Sequence, residues 1–575
     1  MKKKLAVFSA AAIAVSTLNM PLVYGSSIDM SYWKQRHSYD EIVKLFENLN
    51  EKYPGLSESY SIGKSWENRD LICLEITDES IENAGKTGIG VFANIHGGER
   101  ESTECAAYTA QWLLENSETE QVKEILENYI IYVVPVINPD GHEQAQETGM
   151  RQATRQNLRP TDNNGDGVPF NDPYVDLDGD GFIANVYAGK VNDDKEVVKM
   201  QSLGKESKDA DHNGILGDDP KNSGIDLNRN FDFTYGEAGD GVHDKYEGPS
   251  AASEPEVVAV QKFLAEKPMA ALTTMHTGIQ CVLYPWGYKA ATAEELNDTK
   301  EGIGFMAQTA EKMRVAYEKA AKRNFYAMQS YEDYQTYSEL IDYAWGKHNI
   351  HAYTVEVYNA HILENIPYDP NHDPANADIC SWNGSVPEEK WQFYTHDEIE
   401  SKLGLDPSKL VVTDTVTKEQ RNLAEDEGLW FYTPMDSQRG GTWAPEDQDM
   451  MVEGAKDAVL EMIYSEGKLA QKESANSTEV EEVAGTTNMT RGEFVKLLAE
   501  TMKVDTATHT QNQFKDVTDA PYVNWAKEVG ITTGKTKGEF VPKAVITEEE
   551  KALMCERAEK VATSEDIKAA LKNLK

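Results

Sequence analysis

The run Gly90-Val91-Phe92-Ala93-Asn94-Ile95-His96-Gly97-Gly98-Glu99 leads a hydrophobic stretch into a loop carrying a histidine and a glutamate three residues apart. A helical pattern starts at Glu101, so the pair belongs to the end of a strand and the start of a helix. Gly97 and Gly98 let the chain bend enough for both side chains to turn toward one point. By itself His-x-x-Glu is a chance-level pattern. Its meaning depends on what the rest of the chain brings to the same place.

Working outward, the pattern is one of strands alternating with helices. Ser38 precedes Ile42, Leu45, Phe46 and Leu49 at helical spacing, and Tyr53-Pro54-Gly55 ends that helix. Tyr60 to Gly63 and Leu71 to Ile76 read as strands around a turn at Trp66 to Asp70. A helix from about Thr103 to Leu114 follows the His96 loop. Tyr129 to Ile137 is then a nearly continuous apolar run, ending at the turn signal Asn138-Pro139-Asp140-Gly141. Ser253-Glu254-Pro255-Glu256 reads as a capping box that opens a helix through Val257, Val260 and Phe263. Met269 to Met275 is a strand with His276 at its end, Ala293 to Ala321 a helix, and Ala352 to Val357 a strand carrying Glu356. Residues 359–390 form a polar loop, and a helix from Asp447 to Ile463 closes the large domain. Apolar strands between amphipathic helices predict an α/β fold, a mostly mixed central sheet covered by helices on both faces.

Length and charge bound the rest. A chain of 575 residues exceeds a single core and predicts one large domain with at least one small one. The formal charge of -42 excludes a nucleic-acid partner, which needs clustered Lys and Arg. It suits an acidic exterior or bound divalent cations. Lys2-Lys3-Lys4, the apolar run from Leu5 to Val15 and Gly25 read as a secretory signal peptide, 1–25, so the mature protein is expected outside the cell. That run is too short and interrupted for a membrane span. Cys73, Cys105, Cys281, Cys380 and Cys555 match no zinc-finger or disulfide framework.

Residues 161–222 differ in kind from what surrounds them. Asp162-Asn163-Asn164-Gly165-Asp166-Gly167, Asp176-Leu177-Asp178-Gly179-Asp180-Gly181 and Asp209-Ala210-Asp211-His212-Asn213-Gly214 repeat one spacing. Oxygen ligands stand first, third and fifth: Asp162, Asn164 and Asp166; Asp176, Asp178 and Asp180; Asp209, Asp211 and Asn213. A glycine follows for the sharp turn, as in the opening of a calcium loop. None has Glu at the twelfth position, so these are not complete EF-hands. The competing reading is an acidic, solvated loop; three copies of the spacing favour structural calcium.

The polar residues at strand ends form a set. His96, Glu99 and His276 are the two-histidine, one-carboxylate ligands of a catalytic zinc site with one position open. Glu356, in a stretch that reads as interior, is the extra carboxylate that a general base requires. Arg155 and the segment Asp226-Leu227-Asn228-Arg229-Asn230 add guanidiniums able to fork a carboxylate or support an oxyanion, without the spacing dividing those jobs.

With these residues in order, about 37–465 resembles the zinc metallocarboxypeptidases of the carboxypeptidase A and carboxypeptidase T kind. Further landmarks are Gly63-Lys64-Ser65 with Arg69, Leu283-Tyr284-Pro285 and Asp342-Tyr343-Ala344. The resemblance implies one zinc on His96, Glu99 and His276, Glu356 as general base and Arg155 polarising the scissile carbonyl. It implies Asn228 and Arg229 holding the terminal carboxylate of peptides or proteins, hence an exopeptidase. A tyrosine caps that carboxylate in the family; counting back from Asp342, Tyr334 fits best, with Tyr331 and Tyr337 as alternatives. Ile341 falls at the family's selectivity position and suggests neutral or hydrophobic terminal residues. Two departures bear on the substrate: Gly98 replaces an arginine of the digestive enzymes, and Thr277-Gly278 replaces Ser-Tyr. Alternative readings are a carboxypeptidase of peptidoglycan stem peptides and a non-catalytic surface protein on the same fold.

Beyond a polar, aperiodic stretch at 466–488, read as a linker, residues 489–575 form a small helical module. Phe514-Lys515-Asp516-Val517, Tyr522-Val523-Asn524-Trp525-Ala526 and Phe540-Val541-Pro542 resemble an S-layer homology module. The resemblance implies attachment to bacterial cell-wall polysaccharide. The expected division is therefore signal 1–25, catalytic domain 26–465 with the insertion 161–222, linker 466–488 and module 489–575.

Overall fold

The computed structural model describes residues 28–148, 155–180, 183–191, 197–221, 224–237, 247–357, 368, 369, 372, 389–414, 417–434 and 445–476, then 490–504, 506, 509, 513–515, 517, 520–533, 540–542, 546, 548–562, 568 and 571. The expected signal peptide, most of the 359–390 loop and residues 477–488 of the expected linker lie outside them. The described residues fall into two units, one ending at Ala475 and the other beginning at Asn476.

The first unit is built on β1 (Ser57–Lys64), β2 (Asp70–Ile76), β3 (Thr87–Ala93), β4 (Tyr129–Val134), β5 (Asn185–Val191), β6 (Val197–Lys205), β7 (Met269–His276), β8 (Cys281–Tyr284), β9 (Tyr326–Gln329) and β10 (His351–Glu356). All but β5 and β6 form an eight-stranded sheet ordered β1-β2-β4-β3-β7-β10-β8-β9. It is mixed: β4, β3, β7 and β10 run parallel, whereas β1, β2 and β8 are antiparallel to their neighbours on the β4 or β10 side. The α/β reading is correct.

Helices cover both faces, and alternate side chains along each strand explain why. Ile89, Val91, Ala93, Tyr353 and Val355 pack with α1 (Tyr39–Lys52), α2 (Arg100–Glu115), α3 (Glu120–Asn128) and the helix Pro445–Asn476. Phe92, Leu272 and Ala352 point the other way, into Val257, Val260 and Phe263 of the helix Pro255–Glu266 and Leu340, Ile341 and Ala344 of the helix Leu340–His348. Burial on two faces removes polar alternation and leaves the continuous apolar runs seen in the sequence.

Four boundaries differ from expectation. Asn138-Pro139-Asp140-Gly141 is the start of a helix, Pro139–Thr148, rather than a free turn; Asn138 Oδ1 accepts the Gly141 N–H at 3.0 Å, as an N-cap does. Ser253 closes no capping box. The N-cap is Glu254, with Pro255 first in the helix, and Ser253 Oγ donates to Glu254 instead. Ala293–Asn297 and Ile303–Ala321 are separate helices with Gly302 capping the second, because the chain turns back between them through Phe305 N–H to Asp298 O. The closing helix continues through Asn476, well into the stretch read as linker.

The insertion is no plain loop. β5 and β6 join β11 (Glu389–Tyr394), β12 (Val411–Thr413), β13 (Gln420–Asn422) and β14 (Gly428–Pro434) in a second sheet ordered β11-β14-β5-β6-β12-β13. It carries its own core, including Val186, Leu203, Leu216, Ile399, Val412 and Phe431.

In the second unit, helices Arg491–Thr501, Pro521–Glu528 and Glu548–Val561 enclose Phe494, Leu498, Phe514, Val523, Trp525, Phe540 and Cys555. Arg491 is buried there. Its Nε donates to Phe540 O at 2.9 Å, its guanidinium lies over the Phe540 ring, and it pairs with Glu550. Among the described residues, Cys73, Cys105, Cys281 and Cys555 are buried, and no helix is long and apolar enough to cross a membrane.

Candidate active site

The carboxyl ends of three parallel neighbours, β3, β7 and β10, meet at one edge of the main sheet, where open α/β sheets place their ligand crevice. His96 and Glu99 follow β3, His276 ends β7, and Glu356 ends β10 directly opposite His276 in register. The loop after β3 is shaped by Asn94, whose backbone adopts φ 55° and whose Nδ2 donates to His96 O and Gly97 O, each at 3.0 Å. Asn94 is one of the few residue types that tolerate that conformation. Its part in the loop was not legible in a sequence reading that ended the strand there.

The three donors converge. His96 Nδ1 lies 2.9 Å from Glu99 Oε1, His276 Nδ1 lies 3.2 Å from Glu99 Oε2, and one donor atom from each residue falls within 4.8 Å of the others. All three side chains are buried. Burial alone would raise the Glu99 carboxyl, but His96 and His276 beside it hold it well below the usual carboxylate range. Burial pushes the His276 imidazole down, which keeps it neutral as a ligand must be. His276 Nε2 is buried with no hydrogen-bond partner among the described residues. Two imidazole nitrogens and a carboxylate, dry and convergent, are the set that zinc takes with one position left open.

Asp226 supports this set, and the sequence reading did not single it out. Its Oδ1 is 3.2 Å from His96 Nε2 and accepts the Asn228 N–H, while Oδ2 accepts from Arg155 Nε at 2.8 Å. Burial opposes its charge, yet Arg155 and His96 hold it well below the usual range. A carboxylate on Nε2 fixes the ring so that Nδ1 faces the metal position. The only sequence signal was its place two residues before Asn228.

Arg155 reaches the same centre, with Nη1 3.2 Å from His96 Nδ1 and 3.8 Å from Glu99 Oε1. Arg229 is buried: Nη1 donates to Asn228 O at 2.8 Å and Nη2 to the Tyr334 hydroxyl at 3.0 Å. Asn228 Oδ1 is taken by the Leu340 N–H. Of the three candidate tyrosines, Tyr334 lines the cleft and is half exposed, whereas the Tyr337 hydroxyl accepts from Gln335. The cleft is lined by His96, Glu99, Arg155, Asn228, Arg229, His276, Tyr334 and Glu356 together. Lys205, at the end of β6, brings the insertion to its wall.

Ile341 is the exception. It lies in the core between sheet and helices with Leu227, Phe231 and Ala344, and does not line the cleft. The helix Leu340–His348 turns its first apolar residues to the sheet, so the N-cap residue Glu339 faces the cleft instead. The terminal-residue preference drawn from Ile341 loses its basis.

The acidic loops regroup in three dimensions. Asp176 and Asp178 converge with Glu206, and Asp211 converges with Asp172 and Asp218. Asp162, Asp166, Asp180 and Asp209 belong to neither group, while Asn164 and Asn213 each donate through Nδ2 to Asp211 of the second. Asp162 instead receives the N–H groups of Gly165, Asp166 and Gly167, and Asp209 that of Gly214. The added acids come from outside the repeated spacing, which is why the spacing could not supply them.

A family model described as zinc carboxypeptidase matches residues 42–368, a span holding every residue of the cleft, and one described as S-layer homology domain matches residues 513–552. Zinc carboxypeptidase A 1 of Drosophila melanogaster is 25% identical over 274 residues, 46% of this chain and 49% of the relative. Carboxypeptidase A2 of Rattus norvegicus is 24% identical over 282 residues, 48% of this chain and 53% of the relative. The chain thus spans about half the length of these curated relatives. Among solved structures, the carboxypeptidase A from Helicoverpa armigera is 21% identical with a TM-score of 0.41, covering 56% of this chain and 64% of that one.

Proposed function

Because the chain belongs to the zinc carboxypeptidase family, we propose that its cleft hydrolyses the last peptide bond of peptides or proteins held by their free carboxylate. Zinc on His96, Glu99 and His276 would supply Lewis-acid polarisation at the scissile bond. Glu356 takes the proton of the attacking water and returns it to the leaving amine. Arg155, fixed through Nε by Asp226 and with Nη1 toward His96, presents its guanidinium to the developing oxyanion. Asp226 holds the His96 ring in place throughout. Arg229 and Asn228 receive the terminal carboxylate, and Tyr334 swings from Arg229 to cover it.

The observation that carries the exopeptidase reading is the buried Arg229 guanidinium, bonded to the exposed Tyr334 in the wall of the same cleft. A fixed cation there suits a carboxylate end and stops a chain from running through. The test is a pair of peptides identical except for a free or amidated C-terminus, followed by mass spectrometry. Stepwise loss from the free acid alone is the expected result; equal internal cleavage of both would overturn it.

The S-layer homology domain supports association with the cell wall. Wall polysaccharide as its ligand, export by residues 1–25, and a division into a catalytic unit ending near residue 476 and a wall-directed unit belong to the same proposal. So does structural calcium, for which the support is the convergence of Asp176, Asp178 and Glu206 and of Asp172, Asp211 and Asp218. Burial pushes the Glu206 carboxyl up to about 7 and the Asp218 carboxyl up to about 6, a cost that a hard divalent cation would remove.

A further inference from the structure

Glu339 is a buried carboxylate in the cleft wall, and its present neighbours satisfy it weakly. Oε1 lies 3.5 Å from Arg229 Nη1, and Oε2 lies 3.4 Å from Ser330 Oγ. Beside it Thr336 is 1% exposed, and its Oγ1 has no hydrogen-bond partner among the described residues. The two oxygens face one spot: a Cβ built on Gly287 would lie 2.3 Å from Thr336 Oγ1 and 2.8 Å from Glu339 Oε2. Only glycine leaves that cradle open. Both residues line the same cleft as Arg229, together with a second acid, Asp333.

The charge balance changes when substrate enters. Among the described residues the guanidinium paired with Glu339 is that of Arg229, and on the carboxypeptidase reading the substrate's own carboxylate takes it. Glu339 is then a buried anion sharing its cation with a second anion, a costly arrangement unless another cation arrives. The neighbouring acids feel Glu339 already. Burial first and Glu339 second push the Asp333 carboxyl up to about 6 and the Asp342 carboxyl up to about 8. We propose that the terminal residue of the substrate carries a cationic side chain, whose ammonium or guanidinium meets Glu339 and Thr336.

This inference rests on the carboxypeptidase reading, and the experiment separates the two. Full-length, zinc-loaded protein is given peptides that differ only in the terminal residue: lysine, arginine, Nε-acetyl-lysine, norleucine and leucine, plus a stem peptide ending in a diamino diacid. The expected result is a kcat/KM for lysine or arginine about 30-fold or more above that for acetyl-lysine and norleucine. In Glu339→Gln the lysine-to-norleucine ratio should fall by about tenfold or more. Wild-type protein tests the same point through lysine against acetyl-lysine, whether or not the variant folds. Preference for the diamino diacid over lysine would identify wall peptide as the source of the cation, and the reverse would identify protein; both support the pocket. Faster release of norleucine or leucine than of lysine would overturn the pocket while leaving the carboxypeptidase reading intact. Release of no residue from any peptide would overturn both.

Discussion

His142 shows how far a single buried residue couples this fold to pH. Its Nε2 faces His37 O at 3.0 Å and its Nδ1 faces Asn94 Oδ1 at 3.2 Å, beneath the metal loop. Burial, then the charges of Arg100 and Arg36, push its pKa down to about 3. An unfolded imidazole takes up its proton near pH ~6.5, so above that value neither state is charged and the packing is fully available. As pH falls from about 6.5 toward 3, only the unfolded chain binds the proton, and stability drops by about 1.4 kcal/mol per unit. The thermal midpoint should therefore fall between pH 7 and 5, and His142→Gln should flatten part of that slope; a variant with an unchanged slope would refute this account. Residues such as His96, Glu99 and His276 were legible because a metal demands rare residue types at strand ends, and Glu356 stood out as an acid in an apolar strand. Asp226 and Asn94 were not, since an acid or amide in a loop has many ordinary uses. Ile341 misled for a related reason. Two positions separate it from Glu339, and only the turn into the helix Leu340–His348 decides which of them faces the cleft.

At the level of elements, the centre of the main sheet was readable because β3, β4, β7 and β10 are buried on both faces, whereas β8 and β9, four residues each, are too short to leave a pattern. The second sheet was not readable. β5 pairs with the adjacent β6 and, on its other edge, with β14, which lies more than two hundred residues downstream, and local alternation carries no trace of that second pairing. The Asp-rich loops around β5 and β6 signalled a cation, yet Glu206 and Asp172, which complete the two acidic groups, fall outside the repeated spacing. If calcium fills these groups, it binds the folded state alone and stabilises it by mass action, by about 2.7 kcal/mol at a hundredfold excess over its dissociation constant. Removing calcium with a selective chelator should lower the thermal midpoint by a few degrees while zinc content stays constant. An unchanged midpoint and no bound calcium on elemental analysis would remove calcium from the account.

For the whole molecule, two units each close a core of their own, one around the mixed sheet and one around Phe494, Trp525 and Phe540. Their separate character was visible in the sequence as a change of composition, and the division between Ala475 and Asn476 falls within the polar stretch 466–488. The helix Pro445–Asn476 continues through residues whose polarity suggested a linker. The first unit carries the metal ligands, the proposed base and the proposed carboxylate grip in one cleft, and the family match spans all of them. That assembly makes one claim testable above the others, that Glu356 moves the proton in metal-dependent hydrolysis. The measurement is release of the terminal amino acid by Glu356→Gln beside wild type, with zinc per chain determined on the same samples. The account predicts one zinc in each protein and a rate lower by about a hundredfold to ten-thousandfold in the variant. Equal rates with zinc retained would contradict it.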